Sequence, residues 1–280
     1  MREISVNEIT AAVKELCISA NVSLNSDIYC AIEKAREKEI ADTAKSVLSI
    51  LKENADIAKE KQVPICQDTG MVIVFAKIGQ DVHITGGNIT DAINEGVRLG
   101  YTDGYLRKSV VGDPLERKNT GDNTPAVIYY DIVPGDKIYI AVMPKGFGSE
   151  NMGAVKMLKP SDGVGGVIDF VVDTVKKAGP NPCPPIVLGI GIGGTMDKAA
   201  ELSKEALLRP IDSSNENEYY ANLENTLLEK INALDIGPQG FGGKTTALGV
   251  NIKTYPTHIA GLPVAVTISC HVTRHAEIII

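Results

Sequence analysis

The stretch Val63-Pro64-Ile65-Cys66-Gln67-Asp68-Thr69-Gly70, running into Met71-Val72-Ile73-Val74-Phe75, divides the chain into two textures. Before it, no Gly or Pro interrupts residues 26–61, and Ile9, Val13, Leu16 and Cys17 recur at helical spacing. Residues 5–60 are therefore expected to be helical, with Asp27 capping a second helix and Ala41 to Leu51 forming a third. After it, the apolar runs shorten to strand length. Within it, Pro64 stiffens the approach, and the Thr69-Gly70 turn releases a strand just after a thiol, an amide and a carboxylate in a row. A turn leading into a strand is a rigid place to display such groups. An ordinary loop with a buried cysteine would carry the same pattern.

Downstream, Met71–Ile78, Ala126–Ile132 and Lys137–Met143 read as strands, the last two joined as a hairpin through Asp131-Ile-Val-Pro-Gly-Asp136. Thr90–Leu106, Val164–Ala178, Met196–Leu208 and Tyr219–Leu234 read as helices, and Pro185–Ile190, Leu248–Thr254 and Pro263–Ser269 as further strands. Glu277-Ile-Ile-Ile280 is an apolar end, suited to a terminal strand or to a surface that another chain covers. The expected architecture is α+β: an N-terminal helical segment packed on a mixed β-sheet with interspersed helices. With no repeat, low-complexity segment or linker, residues 1–280 are expected to form one domain.

Gly189-Ile-Gly-Ile-Gly-Gly194 matches G-x-G-x-x-G between a strand and a helix. A dinucleotide site needs a second parallel strand after that helix, ending in an acid. The chain enters another helix instead, which leaves only the helix N-terminus as an anion site. Pro144-Lys-Gly-Phe-Gly-Ser149 is a second glycine-bearing loop, whose amides and Lys145 suit an anion as well as they suit a plain turn.

With 28 basic and 35 acidic residues the net charge is −7, against a general nucleic-acid binder. No apolar run approaches a membrane span and the N-terminus lacks an export signal, so a cytoplasmic protein is expected. Five cysteines in that setting do not suggest a disulfide framework. Cys17 and Cys30 fall in helical patterns and are expected in the core. Cys66, Cys183 and Cys270 sit among turn residues, with no C-x-x-C. Three thiolates need a further partner to complete a metal site: either His271 or His275 beside Cys270, giving a Cys3His zinc site, or a [4Fe–4S] cluster with one iron open.

Pro64-Ile-Cys-Gln-Asp-Thr-Gly70, Leu106-Arg-Lys-Ser-Val110, Lys118-Asn-Thr-Gly-Asp-Asn-Thr-Pro125, Lys145-Gly-Phe-Gly-Ser149, Cys183-Pro-Pro with Gly189–Gly194, and Ser269-Cys-His-Val-Thr-Arg-His275 together resemble the alpha subunit of class I fumarate hydratase, a family that includes the alpha subunit of L-tartrate dehydratase. The resemblance implies that Cys66, Cys183 and Cys270 hold an oxygen-sensitive [4Fe–4S] cluster whose open iron binds substrate. It implies catalytic roles for Asp68 and His258, and substrate contacts from Gln67, Arg107, Lys145, Gly146 and Gly148. Phe147 departs from the three consecutive glycines usual in that loop. The resemblance further implies hydration of fumarate to malate, a beta subunit carrying the catalytic base, and oligomers of the alpha–beta unit. The rival readings are a tartrate dehydratase alpha subunit, a zinc-stabilised binding protein, and a nucleotide-dependent oxidoreductase using residues 189–194.

Overall fold

Ser5 ends a strand and starts a helix. Its Oγ accepts from the Glu8 amide at 3.3 Å while Glu8 Oε2 accepts from the Ser5 amide at 3.1 Å, a reciprocal cap that fixes where the first helix begins. The computed structural model describes all residues 1–280. In chain order the elements are β1 (Arg2–Ser5), α1 (Val6–Val22), α2 (Ser26–Lys38), α3 (Asp42–Lys61), β2 (Met71–Gly79), β3 (Val82–Thr85), α4 (Ile89–Asp103), β4 (Val127–Val133), β5 (Ile138–Lys145), α5 (Phe147–Glu150), β6 (Ala154–Leu158), α6 (Gly163–Ala178), β7 (Ile186–Gly193), α7 (Met196–Glu205), α8 (Glu218–Asn232), β8 (Ala247–Tyr255), β9 (Leu262–Ser269) and β10 (Ala276–Ile279). The α+β class and the helical lead-in are as expected. The strands form two four-stranded sheets and a two-stranded one, rather than a single mixed sheet.

Contacts divide the chain into two units. The first comprises Met1–Leu24, Ala55–Phe147 and Arg274–Ile280. Its sheet runs β10-β5-β2-β4, with β2 parallel to β4 and antiparallel to β5. The expected hairpin between β4 and β5 is therefore absent, because β2 lies between them. The Val133–Lys137 connection instead crosses the end of β2: the Gly79, Gln80 and Asp81 amides donate to the carbonyls of Lys137, Val133 and Gly135. The C-terminal strand β10 pairs antiparallel with β5. Helices α1 and α4 pack closely, since a Cβ on Gly96 would stand 2.7 Å from Val13 Cβ and one on Gly100 2.8 Å from Cys17 Cβ. Val13, Leu16, Val97 and Tyr101 share a buried cluster with Val72, Val74, Ile140 and Val142 of the sheet. Cys17 is buried there, as expected, and burial pushes its thiol pKa up.

The second unit comprises Asn25–Asn54 and Gly148–Thr273. Its sheet runs β6-β9-β7-β8, with β7 parallel to β8 and antiparallel to β9. Alternation along β7 sends Ile186, Leu188, Ile190 and Ile192 into a core with Val171 and Val175 of α6 and Leu227 and Ile231 of α8. The opposite face presents Gly189 and Gly191 to α7. Cys30 is exposed, contrary to the core placement expected of it, because α2 turns Ile28, Ile32 and Ala35 inward. No helix is long and apolar enough to cross a membrane.

Candidate functional site

In the first unit, residues 66–70 are held by side chains where a strand would be held by neighbouring backbone. The Asp68 carbonyl accepts from Arg274 Nη2 at 2.5 Å. The Thr69 carbonyl accepts from the Tyr101 hydroxyl at 2.5 Å, and the Gly70 carbonyl accepts from the same hydroxyl at 3.1 Å. Asn123 Nδ2 also reaches Gly70 O at 3.1 Å while its Oδ1 takes the Ser109 amide at 2.7 Å. Burial drives the Tyr101 pKa up, so the phenol keeps the proton that both bonds require. Thr69 in turn donates its hydroxyl to the Arg107 carbonyl at 2.8 Å. Gly70 has φ +78, and a Cβ there would lie 2.7 Å from the Lys145 amide nitrogen, so only glycine lets β2 start against β5 at this point.

This frame displays three of the side chains expected at the site. Cys66 is half-buried, and its Sγ accepts the Asp68 amide at 3.4 Å. Gln67 is exposed, with Oε1 at 3.6 Å from the Cys66 thiol. Asp68 engages both carboxylate oxygens with main-chain amides, Oδ1 with Gly70 at 3.1 Å and Oδ2 with Phe147 at 2.9 Å. The Gly146 residue of the anion-loop expectation admits this approach: a Cβ there would stand 3.1 Å from Asp68 Oδ2. The Phe147 amide of that loop thus holds Asp68 itself. Lys145, the last residue of β5, is buried with its Nζ 3.3 Å from the Gly146 carbonyl, and Arg107 is exposed.

In the second unit, Cys183 precedes β7 and Cys270 follows β9. The antiparallel register Val187↔Ser269 brings both to one end of that sheet. Cys183 adopts φ +54, a left-handed conformation costly for a side chain other than glycine or asparagine. Its carbonyl is held by the His271 amide at 3.4 Å and His271 Nδ1 at 3.0 Å. A carbonyl only accepts, so Nδ1 carries the proton of that bond; the Gln239 Nε2 that lies 3.2 Å from Nδ1 donates instead to the Pro184 carbonyl at 2.7 Å. Cys183 is exposed and Cys270 half-buried, and neither forms a disulfide. Gly148 also belongs to this unit, 3.9 Å in Cβ terms from the Asn181 carbonyl.

His258 lies at the other end of the same sheet. It precedes β9, whose eight residues separate it from Cys270 by roughly 23 Å of extended chain. Its Nδ1 accepts the Ala260 amide at 3.2 Å, and it lines a cavity of about 380 Å³ walled by Val164, Val167, Tyr219, Tyr220 and Leu223. The structure does not bring it to the Cys183 and Cys270 loops. The glycines of residues 189–194 are likewise accounted for by packing. A Cβ on Gly189 or Gly191 would sit 2.0 Å from a carbonyl of α7, and one on Gly193 1.9 Å from the Tyr255 carbonyl. The first two lie inside β7 rather than in a loop, so their amides belong to the sheet and cannot cradle a phosphate.

Of the three side chains that hold residues 68–70, Arg274 stood in the sequence within the Ser269–His275 motif, Asn123 within the 118–125 motif, and Tyr101 in none. Asn123 carried a signal, as an Asn at φ +66 within a Gly/Asn/Asp/Pro loop. Tyr101, at a helical core position, carried none. No three His, Cys, Asp or Glu side chains stand together as a preformed metal-ligand group. In donor chemistry the three cysteine thiols suit an iron–sulfur group, since thiolates are its ordinary ligands, and the amide directed at Cys66 is the kind of bond that tunes one.

The first unit thus holds a carboxylate fixed beside a thiol, and the second presents two thiols at one sheet end, residue types suited to acid–base work and to soft-metal ligation respectively. Residues 10–279 match the family model described as fumarate hydratase (Fumerase), and the chain belongs to that hydro-lyase family. It is 46% identical over 275 residues to the putative L(+)-tartrate dehydratase subunit alpha of Methanocaldococcus jannaschii, covering 96% of each chain. It is 31% identical over 280 residues to the L(+)-tartrate dehydratase subunit alpha of Escherichia coli O157:H7, covering 99% of this chain and 92% of the other. The same subunit of Escherichia coli strain UTI89 is 32% identical over 278 residues, with coverage of 98% and 91%.

Proposed function

We propose that the chain is the alpha subunit of a two-subunit hydro-lyase that interconverts fumarate and (S)-malate. Family membership across residues 10–279 supports the reaction class, and the relatives' designation as alpha subunits supports a beta partner. The observation that carries the chemistry is Asp68: both carboxylate oxygens are fixed by amides, one residue pair away from the Cys66 thiol. Asp68 would deliver a proton to the departing hydroxyl and recover it in the reverse direction. The exposed Arg107 fork would bind one substrate carboxylate bidentately, and Gln67 would donate a hydrogen bond to the substrate. Lys145 is buried where the loop carrying Gly146 and Gly148 begins, its Nζ 3.3 Å from the Gly146 carbonyl, and with both glycines would complete the substrate contacts.

Cys66, Cys183 and Cys270 would hold a [4Fe–4S] cluster, which when bound supplies a Lewis acid at its uncoordinated iron. The beta subunit would contribute the base that takes the C3 proton, and the alpha–beta unit would further oligomerise in the cytoplasm. We further propose that the two units of this chain act as one functional domain. His258 stays outside the proposed catalytic set, because β9 holds it at the far end from Cys270.

A second reading shares this chemistry: the named relatives favour L-tartrate, another 2-hydroxy dicarboxylate, as the substrate. The test is anaerobic reconstitution of the chain with iron and sulfide, addition of its beta partner, and assay of fumarate, malate and L-tartrate. About four irons per chain with acid-labile sulfide, and turnover of fumarate, support the first reading. Turnover of L-tartrate alone would transfer the assignment to the second. One zinc and no sulfide would sink both.

A further inference from the structure

Arg274 is 4% exposed, an expensive position for a guanidinium. Its Nη2 is committed to a main-chain carbonyl, that of Asp68, and its Nε is buried without a hydrogen-bond partner. Its charge is felt at the Tyr101 hydroxyl, where it opposes the dominant effect of burial. The target is specific. Three consecutive carbonyls, of Asp68, Thr69 and Gly70, are each bound by a side chain, and Arg274 is the charged member of the set beside Tyr101 and Asn123. Asp68 is thereby gripped at three points: its carbonyl by Arg274, its carboxylate by the Gly70 and Phe147 amides, and its own amide by Cys66 Sγ. Removing the first grip frees the Asp68–Thr69 peptide to rotate, which would misdirect both the carboxylate and the N–H···S bond.

We propose that Arg274 is a positioning residue, acting through the Asp68 carbonyl to hold the Asp68 carboxylate and the Cys66 thiol in register. Its catalytic consequence rests on the hydro-lyase reading above; its effect on the loop does not. The first arm of the test is therefore amide hydrogen exchange on the chain without cluster. In Arg274→Ala, exchange should accelerate over residues 66–70 while α1, α4 and β2 keep wild-type protection. Millimolar guanidinium should restore the slow exchange, and Arg274→Lys should restore it in part.

The second arm uses the reconstituted complex with its beta subunit. Arg274→Ala should lower kcat by about 10–100-fold with a smaller change in KM, alter the electron paramagnetic resonance signature of the cluster after one-electron reduction with dithionite, and respond to guanidinium. Wild-type exchange over 66–70 in the variant would overturn the inference. So would uniform loss of protection across the unit that neither guanidinium nor lysine reverses, since Arg274 would then be a packing residue. Should the wild-type chain bind no cluster at all, the reading of the previous section fails, and the first arm still decides the role of Arg274.

Discussion

Two glycine-bearing stretches both carry functional-looking patterns in the sequence, and the fold gives them opposite fates. In residues 66–70 the glycine serves a display: Gly70 lets β2 begin against Lys145, and Arg274, Tyr101 and Asn123 tie down the loop that presents Cys66, Gln67 and Asp68. In residues 189–194 the glycines serve contact. They remove side chains from β7 so that the α7 carbonyls can approach, and nothing is displayed. A display loop needs hydrogen-bond partners drawn from distant residues; a packing seam needs only absent atoms. A glycine pattern in a sequence encodes both, and only the identity of the neighbouring polar side chains separates them.

The largest effects should fall on the display side. Cys66→Ser should abolish iron and sulfide retention and turnover with the beta subunit while leaving the far-ultraviolet dichroism unchanged, because the half-buried thiol is not a core residue. Retention of a full cluster in that variant would remove Cys66 from the site. Asp68→Asn should keep the fold and the cluster but lower kcat by about 10²–10⁴-fold, the usual contribution of a positioned acid or base. Single-turnover kinetics at saturating substrate measure this; a change confined to KM would make Asp68 a binding residue only.

On the packing side the effect should be on stability alone. A methyl on Gly191 would lie 2.0 Å from the Ala199 carbonyl, so β7 and α7 must separate. Gly191→Ala should cost about 3 kcal/mol in urea unfolding, at the upper end of overpacking penalties. Its control is Gly165→Ala in α6, where no atom lies within 4 Å and φ is ordinary; there the chain should gain about 0.5–1 kcal/mol. A Gly191→Ala chain with normal stability but lost anion or nucleotide binding would reverse the comparison.

Sequence patterning places the long helices and the longer strands, because amphipathic spacing records which face each element buries, with Val13, Leu16 and Val97 buried where the pattern requires; the short β1, β3, α5 and β6 carry too few residues to show a period and go unread. Pairing was not legible. The turn Val133-Pro-Gly-Asp136 reads as a hairpin, but pairing depends on which third strand competes for each edge, and β2 takes both. The same limit governed the site. Cys66, Gln67 and Asp68 announce themselves as adjacent polar residues ahead of a strand, whereas Tyr101 and Arg274 act at sequence separations of 32 and 206 from their carbonyl targets. Cys30 shows the reverse error: a helical pattern identifies a buried face, not each residue near it.

The smallest predicted effect is at His258. Its loop is tied to the glycine end of β7, with the Thr257 hydroxyl donating to the Gly194 carbonyl at 2.9 Å and the Gly194 amide donating to the Pro256 carbonyl at 3.2 Å. If that end only packs, His258→Gln should change kcat and kcat/KM by less than about twofold, within the range of a surface substitution away from the chemistry. The side chain is exposed and its Nδ1 contact with Ala260 is local, so stability should also hold. Steady-state kinetics of the alpha–beta complex decide the point. A loss of kcat beyond tenfold with the fold intact would break the comparison, because β9 cannot bend its roughly 23 Å to carry His258 to the Cys270 end of its own sheet. The glycine end would then belong to a site that this chain completes only with another.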